Sequence, residues 1–289
     1  MQPFSSLDAS DYDLPEGLAE RVLTPALVVH LDRVRSNIAR VIELAGGEPD
    51  RWRPHLKTTK MPEVWRELIA AGVRQFKCAT TREAAVLLTL LEQEGVAADL
   101  LVAYPLLGPA LSRLGSLAET HPSQRVSVLC EDLTVLESVP PSLGLFIDVN
   151  SGMNRTGVPL SDGARILALA RASGARFRGL HAYEGHLHEL NFERRRTAAF
   201  AEYEGIVALV NELARSGCPV PELVTSGTPG LLCALSWPEF GELENCRHRV
   251  SPGTVVFHDL RSELETPELR LAPAATVLTR VVSHPRQGI

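Results

Sequence analysis

Lys57 is the residue whose type and setting point most directly to covalent chemistry. It lies in the segment Arg53-Pro54-His55-Leu56-Lys57-Thr58-Thr59-Lys60, just after a predicted strand. A lysine amine attacks a carbonyl only when it is unprotonated, so a site that uses it must lower a pKa of about 10.4. In that setting Lys57 could hold an aldehyde cofactor as a Schiff base. Lys60 is the rival amine, but Pro62 fits the first turn of the next helix, which predicts an exposed lysine at position 60.

Further polar residues follow other predicted strands. Arg155 could bind a phenolate, and His181 or Tyr183 could face a planar ring, although a tyrosine on a strand is as often a packing residue. Two loops of small and hydroxyl-bearing residues could bind an anion through backbone N–H groups and hydroxyls. These loops contain Ser226, Gly227, Thr228, Gly253 and Thr254. Each loop alone is more often an ordinary turn, and only their convergence favours an anion site.

The alternation of strands and helices predicts how these residues meet. A strand at 26–30 precedes eight further β-rich runs, most of them separated by helical patterns. These runs are 51–55, 75–79, 99–104, 125–129, 144–149, 177–183, 222–225 and 249–257. Eight such units predict an α/β fold, a (β/α)8 TIM barrel with its active site at the carboxyl ends of the strands. Those ends carry Lys57, Arg155, the two ring-facing candidates and both loops.

Capping residues and hydrophobic spacing mark several helices and a last strand. Asp32, Thr80 and Ser161 are predicted N-caps, and the longest helix is predicted over 192–216. Residues 272–282 predict one long strand. Because a lone strand is not stable, it either pairs with the strand at 26–30 or begins a second β domain.

Composition excludes several classes of protein. The chain has 289 residues, 45% of them hydrophobic and 22% charged, which is ordinary for a globular protein. A net charge of −6 argues against a general binder of nucleic acid or of anionic membranes. The N-terminal residues lack the pattern of a signal peptide, and no apolar run is long enough to cross a membrane, so a cytoplasmic location is expected. The five cysteines form no CxxC pair, which indicates neither a disulfide framework nor a zinc cluster.

Six segments, taken in order, resemble the fold-type III pyridoxal-phosphate enzymes, and within them the D-threonine aldolase and D-serine dehydratase-like family. They are 24–29, 53–60, 76–80, 155–157, 179–186 and 251–259, of which 54–60 is the most specific. The resemblance implies a barrel of the alanine racemase type over residues 25–260, after an N-terminal segment at 1–24. It also implies that residues 261–289 begin a C-terminal β domain, incomplete in this chain, which the strand at 26–30 joins.

The resemblance also implies roles for the polar residues. Lys57 would carry pyridoxal 5'-phosphate (PLP) as a Schiff base, Arg155 would bind near its O3′, and His181 or Tyr183 would lie near the pyridine ring. The phosphate would be held by Ser226, Gly227, Thr228, Gly253 and Thr254. A catalytic base is needed as well, and His186 is a candidate by position only. A homodimer is expected, because related proteins commonly pair.

The activity implied is that of a PLP-dependent lyase acting on small D-configured β-hydroxy amino acids, such as the cleavage of D-threonine to glycine and acetaldehyde. A D-serine dehydratase-like deaminase, an amino-acid racemase and a non-catalytic PLP-binding protein are the alternatives. A barrel unrelated to PLP is the least favoured interpretation.

Two departures from the family pattern bear on this prediction. Thr59 stands where the family usually has histidine, which alters the loop but not the attachment of the cofactor. The family also carries ligands for a divalent metal, manganese or zinc, in its C-terminal β domain, and this chain stops at Ile289 before any such segment. His186 and His188 could suggest a metal pair, but no third ligand is evident, so no metal-binding residue is predicted.

Overall fold

The computed structural model describes residues 12–286, and helices and strands alternate along them. The helices are α1 (Leu18–Arg21), α2 (Leu31–Leu44), α3 (Pro62–Ala70), α4 (Thr81–Gln93), α5 (Gly108–Thr120), α6 (Leu133–Ser138), α7 (Gly163–Ser173), α8 (Phe192–Arg215), α9 (Leu231–Ser236) and α10 (Leu260–Glu265). The strands are β1 (Ala26–Val29), β2 (Gln75–Cys78), β3 (Asp99–Pro105), β4 (Arg125–Cys130), β5 (Gly144–Asn150), β6 (Val158–Pro159), β7 (Phe177–Ala182), β8 (Glu222–Thr225), β9 (Arg247–Val250) and β10 (Ala275–Leu278).

The main sheet is parallel and follows the order of the chain. Its path runs β2-β3-β4-β5-β7-β8-β9, with the two-residue β6 paired to β5. These strands are buried almost throughout, as expected when helices cover a parallel sheet. The carboxyl ends of all seven strands therefore meet at one edge of the sheet, where the sequence places its reactive residues.

The predicted first barrel strand, at 51–55, is corrected by the structure. This segment makes only two isolated parallel bridges, from Trp52 to Val250 and from His55 to Lys77. Pro54 lacks an N–H, so it can accept a hydrogen bond from Lys77 but cannot donate one back, and no ladder forms. A complete eight-stranded barrel is thus not seen in residues 12–286, although the segment lies between the first and last strands of the sheet.

Smaller sequence predictions have mixed outcomes. The strand expected at 249–257 ends at Val250, because the chain turns at Pro252 and Gly253 into a 3-10 helix, Thr254–Val256. Thr80 caps α4 as predicted, by accepting a hydrogen bond from the backbone N–H of Glu83. The other two predicted caps were wrong. Asp32 lies inside the first turn of α2, and the side chain that caps α7 belongs to Asp162 rather than to Ser161.

The first and last strands form a separate two-stranded ribbon. Residues of β1 pair antiparallel with those of β10, with Ala26 opposite Leu278 and Val29 opposite Ala275. This is the first of the two arrangements considered for the strand at 272–282, which is shorter than expected. No helix in residues 12–286 is both long and apolar enough to cross a membrane.

A buried ionic network holds the other end of the main sheet. The Arg53 side chain has no exposed surface, and its Nε and Nη2 atoms donate to Glu222 at 2.8 and 2.9 Å. Its Nη1 atom donates to Asp99 Oδ1 at 3.0 Å. Since Asp99 and Glu222 begin β3 and β8, this arginine fastens the segment before Lys57 to the amino ends of two strands.

Candidate active site

A pocket of about 260 Å³ opens at the carboxyl ends of the strands. Residues from six of the strand-to-helix connections line it, which is where the barrel prediction placed a site. The basic residues of the lining are His55, Lys57, Lys77, Arg155 and His181, and no aspartate or glutamate is among the lining residues. A concave surface with this charge is suited to a ligand that carries several negative charges.

Lys57 lies at the rim of this pocket, on a short 3-10 helix, Leu56–Thr58. Its side chain is exposed, yet it is partly desolvated by the pocket wall. That desolvation, with the positive charge of Arg155, lowers the pKa of the Lys57 amine below its usual value. The shift is in the direction that covalent amine chemistry requires.

Lys77 is a second amine in the same pocket, and the sequence prediction missed it. It stands on β2 between Phe76 and Cys78, and only 3% of the residue is exposed. Its Nζ lies 3.4 Å from Nε2 of His181 and 5.8 Å from the centre of the Tyr183 ring. Burial, followed by the charge of Lys57, lowers the pKa of Lys77 to about 7. The one signal in the sequence was a lysine between the apolar residues Phe76 and Cys78, and it does not say which face of the strand the amine is on.

His181 connects Lys77 to a buried carboxylate. Its Nδ1 lies 2.7 Å from Oδ1 of Asp148 on β5, and Thr156 donates to the other carboxylate oxygen at 2.7 Å. A carboxylate accepts hydrogen bonds, so Nδ1 carries the proton and Nε2 is left to accept from Lys77. Burial and the nearby Lys77 lower the pKa of His181, which keeps this imidazole neutral. Asp148 was likewise not predicted from the sequence.

Arg155 and Tyr183 form the next part of the wall. The guanidinium carbon of Arg155 lies 5.2 Å from the centre of the Tyr183 ring, a cation–π contact. Burial raises the pKa of the Tyr183 phenol, so its hydroxyl stays protonated at neutral pH. The structure thus brings both residues to the pocket, as their positions after β5 and β7 predicted.

The two small-residue loops also reach the pocket. Gly227, Thr228, Gly253 and Thr254 line it, and neither threonine hydroxyl bonds to another described residue. A Cβ on Gly253 would come within 2.3 Å of the backbone oxygen of His55, so only glycine allows this close approach.

Ser226 lies behind the loop rather than on the pocket surface. Its backbone N–H donates to Glu184 at 3.0 Å, while its buried hydroxyl has no hydrogen-bond partner among the described residues. Glu184 also accepts from the hydroxyl of Tyr203 at 2.7 Å. Burial raises the pKa of the Glu184 carboxyl, and these two donors oppose that shift. Glu184 therefore fixes the start of the loop that Gly227 and Thr228 continue.

Comparison with known proteins identifies the family of this chain. Residues 29–260 match the family model described as the alanine racemase N-terminal domain. The chain belongs to this family. The resemblance noted in the sequence is thereby confirmed, and the family accounts for an α/β fold with a parallel sheet and for PLP as the cofactor that its members use.

Individual relatives of this alanine racemase-family chain include two curated enzymes. A D-threonine aldolase from Arthrobacter is 28% identical over 73% of the chain, and a D-threo-3-hydroxyaspartate dehydratase from Delftia is 27% identical over 82% of it. The chain spans 56% and 62% of the lengths of these relatives. Among solved structures, the D-threonine aldolase of Filomicrobium marinum superposes with a TM-score of 0.76 at 23% identity, covering 92% of this chain and 72% of that one.

Two residues considered from the sequence lie outside the pocket of this family member. His186 does not line it, and its Nε2 instead lies 2.7 Å from Oε1 of Glu202 on α8. Lys60, the rival amine, is mainly exposed, as predicted, and forms an ion pair with Glu83. No group of three or more His, Cys, Asp or Glu residues suited to a metal ion occurs within residues 12–286.

Proposed function

We propose that this chain is the cofactor-binding part of a PLP-dependent lyase that acts on small D-configured β-hydroxy amino acids. The favoured reaction is that of a D-threonine aldolase. The observation that carries the proposal is the pocket itself, in which two amines, a guanidinium group and two hydroxyl-bearing loops meet and no carboxylate lines the wall. The names of the two curated relatives support the class of reaction.

The donors of the pocket fit the chemical groups of PLP. The cofactor carries a phosphate, a phenolic oxygen, an aldehyde and a flat ring. The phosphate can approach the backbone of the glycines and bond to unpaired hydroxyls of the threonines in the two loops, which contribute Gly227, Thr228, Gly253 and Thr254. The hydroxyl of Ser226, buried without a partner, is a further donor behind that loop.

The remaining groups of the cofactor also find counterparts. Lys57 would hold the aldehyde through its amine, since burial and Arg155 both lower its pKa. Arg155 would hold the phenolic oxygen, and His181 or Tyr183 would lie against the ring. When bound, the cofactor supplies a ring that withdraws electrons from a bond at Cα of the substrate. The protein supplies orientation, the fixed positive charges and the acid–base groups.

The test of cofactor binding is the visible absorbance of the purified protein after PLP is added. Borohydride reduction should fix the cofactor to the peptide that contains Lys57, which mass spectrometry would identify. Lys57→Ala should abolish this attachment, whereas Lys60→Ala, which alters an exposed ion-paired lysine, should not. A reducible yellow chromophore that survives in Lys57→Ala would contradict the role of Lys57.

The test of activity separates the candidate reactions by their products. An aldolase gives glycine and acetaldehyde from D-threonine, so both should appear when the PLP-loaded protein is incubated with D-threonine. Manganese or zinc is included, because a solved relative is described in a metal-free form. Exchange of the α-proton without cleavage would indicate a racemase instead. Bound PLP with no turnover of any D-amino acid would indicate a non-catalytic binding protein.

Dehydration is the second candidate reaction. It is favoured by the Delftia relative, which matches the larger share of this chain. Incubation with D-threo-3-hydroxyaspartate should then release ammonia and a keto acid rather than glycine. We also propose that the protein is a homodimer located in the cytoplasm. Light scattering of the purified protein would test the oligomeric state.

A further inference from the structure

Lys77 is a buried amine for which the proposed function has so far no use. Of the 29 lysine and arginine residues in the chain, only three are lysines, at positions 57, 60 and 77. Two of the three, Lys57 and Lys77, line the pocket. Lys77 has no carboxylate within salt-bridge distance among residues 12–286, although it is almost fully buried. A buried ammonium without a counter-ion is costly, so this position favours a neutral amine or one that a ligand charges.

The surroundings of Lys77 orient its amine. His181 accepts at Nε2 because its Nδ1 proton is directed to Asp148. One N–H of Lys77 is thus directed to the imidazole, and the rest of the amine faces the cavity that Lys57 borders. This amine–imidazole–carboxylate row joins three strands of the sheet: the amine is on β2, and the imidazole and the carboxylate are on the adjacent strands β7 and β5.

We propose that Lys77 is the base that accepts and returns a proton during the reaction at this site. The assignment rests on the proposed function, which requires a base that the sequence left open. His186, the earlier candidate, does not line the pocket and lies beside Glu202 instead.

The proposed step balances without any further reactant. In the cleavage of D-threonine, the neutral amine of Lys77 takes the proton of the β-hydroxyl group while the Cα–Cβ bond breaks. A C=O bond forms at Cβ and acetaldehyde leaves. The electron pair of the broken bond stays with Cα, which then receives the proton from the Lys77 ammonium to give glycine. Nothing is oxidised or reduced overall.

The charge of Lys77 depends on groups from each element that faces it. Positive charge comes from Lys57 and from Arg53 in the segment before β2, and both disfavour the ammonium form. Asp148 on β5 and Glu184 after β7 favour it. His55 and His181 add no positive charge, because burial lowers the pKa of both. Burial is the largest influence, and it disfavours the charged form.

The first experiment measures the titration of Lys77 in the protein without cofactor. Lysine labelled with 13C at Cε gives three signals from this chain, which the variants Lys60→Met and Lys77→Met assign. The Lys77 signal should titrate near neutral pH, about 7. A Lys77 signal that titrates near pH 10, like an exposed lysine, would overturn the assignment whether or not the protein binds PLP.

The second experiment measures turnover by the PLP-loaded protein. Lys77→Met and Lys77→Arg should each lower kcat/KM by about 100-fold or more, because neither side chain accepts a proton at neutral pH. Both should retain the absorbance of the bound cofactor. In the wild type, kcat/KM should fall as the pH drops below about 7, as the amine becomes protonated. Lys60→Met is the matched control and should leave turnover and its pH profile unchanged.

Each outcome of the second experiment decides the assignment. Turnover in Lys77→Met within tenfold of the wild type would overturn it and leave the proposed function standing. Loss of bound cofactor in both Lys77 variants would show a binding role instead, which also overturns it. Failure of the wild type to cleave or dehydrate any D-β-hydroxy amino acid would refute the proposed function, and the role of Lys77 in it.

Discussion

The burial of Lys77 has a stability cost that can be measured without any cofactor. In the unfolded chain the pKa of this amine has its ordinary value of 10.5, and in the folded protein it is lowered to about 7. Between these two values the unfolded state binds one more proton than the folded state. Stability must therefore rise with pH across this window, by as much as about 1.4 kcal/mol per pH unit.

The substitution Lys77→Met removes this dependence while keeping an unbranched side chain of similar volume. Methionine does not titrate, so the difference in free energy of unfolding between variant and wild type should favour the variant most at pH 7 and below. The gain should shrink by about 3–4 kcal/mol between pH 7 and pH 10, as the wild-type amine loses its proton in the unfolded state as well. The lost hydrogen bond to His181 lowers the stability of the variant by a roughly constant amount, about 1–3 kcal/mol, and cancels in this comparison.

The assay is urea denaturation of the cofactor-free protein, followed by tryptophan fluorescence at pH 7 and at pH 10. Reductant is included because the five cysteines are free. Other groups that titrate near pH 10 affect the wild type and the variant alike, so only the difference between the two proteins is interpreted. Lys60→Met makes the same replacement at an exposed lysine and serves as the control for the loss of a lysine side chain. A change below about 1 kcal/mol for Lys77→Met would refute the claim that Lys77 is held with a lowered pKa.

Three further predictions concern the framework of the pocket. Arg53→Met should destabilise the protein by about 3–5 kcal/mol in urea denaturation, because it leaves the carboxylate of Glu222 in a buried network without its bidentate partner. Burial lowers the pKa of His248 to about 3, so the unfolded state binds one more proton than the folded state between pH 6.5 and 3. The free energy of unfolding therefore falls as the pH drops through that range. The variant His248→Gln should make this part of the stability–pH curve flatter, as measured by urea denaturation. Gly253→Ala should weaken PLP binding by about tenfold or more, measured by titration of absorbance, because its Cβ would push against the backbone of His55. Unchanged PLP affinity in that variant would show that the loop relaxes without disturbing the pocket.

The residues that the sequence predicted share one property, which is their place at the carboxyl ends of strands. Lys57, Arg155 and Tyr183 each lie within five residues after a bridge or a strand, so the topology of a parallel sheet brings them together whatever the details of packing. Glycine-containing loops are similarly recognisable, because close approach of a ligand demands small residues. Their roles as cofactor contacts remain predictions, which the absorbance and trapping experiments test.

The residues that the sequence did not reveal can be assigned to the pocket only when it is known which face of their strand points into it. Asp148 and Lys77 lie within strands, where alternation alone does not distinguish the inside of the pocket from packing against helices. The absence of a regular strand at 51–55 follows from Pro54, which lacks an N–H and so interrupts a run that is otherwise typical of a strand. Similarly, His186 lies in a polar loop close to β7, and only the three-dimensional position of Glu202 shows that it lies away from the pocket.

A buried lysine that costs the fold several kcal/mol needs a reason to be there. Methionine at position 77 would fill the same space and favour folding at neutral pH, so stability alone does not explain the amine. The side chains around Lys77 do not explain it either. Among residues 12–286 its amine forms a side-chain hydrogen bond only with His181, and that imidazole is already hydrogen-bonded to Asp148. The remaining explanation is the cavity, which both Lys77 and the exposed Lys57 line. The pocket thus holds two lysines in different environments. The exposed Lys57 is suited to covalent attachment, and the buried Lys77 is suited to proton transfer because desolvation lowers its pKa further.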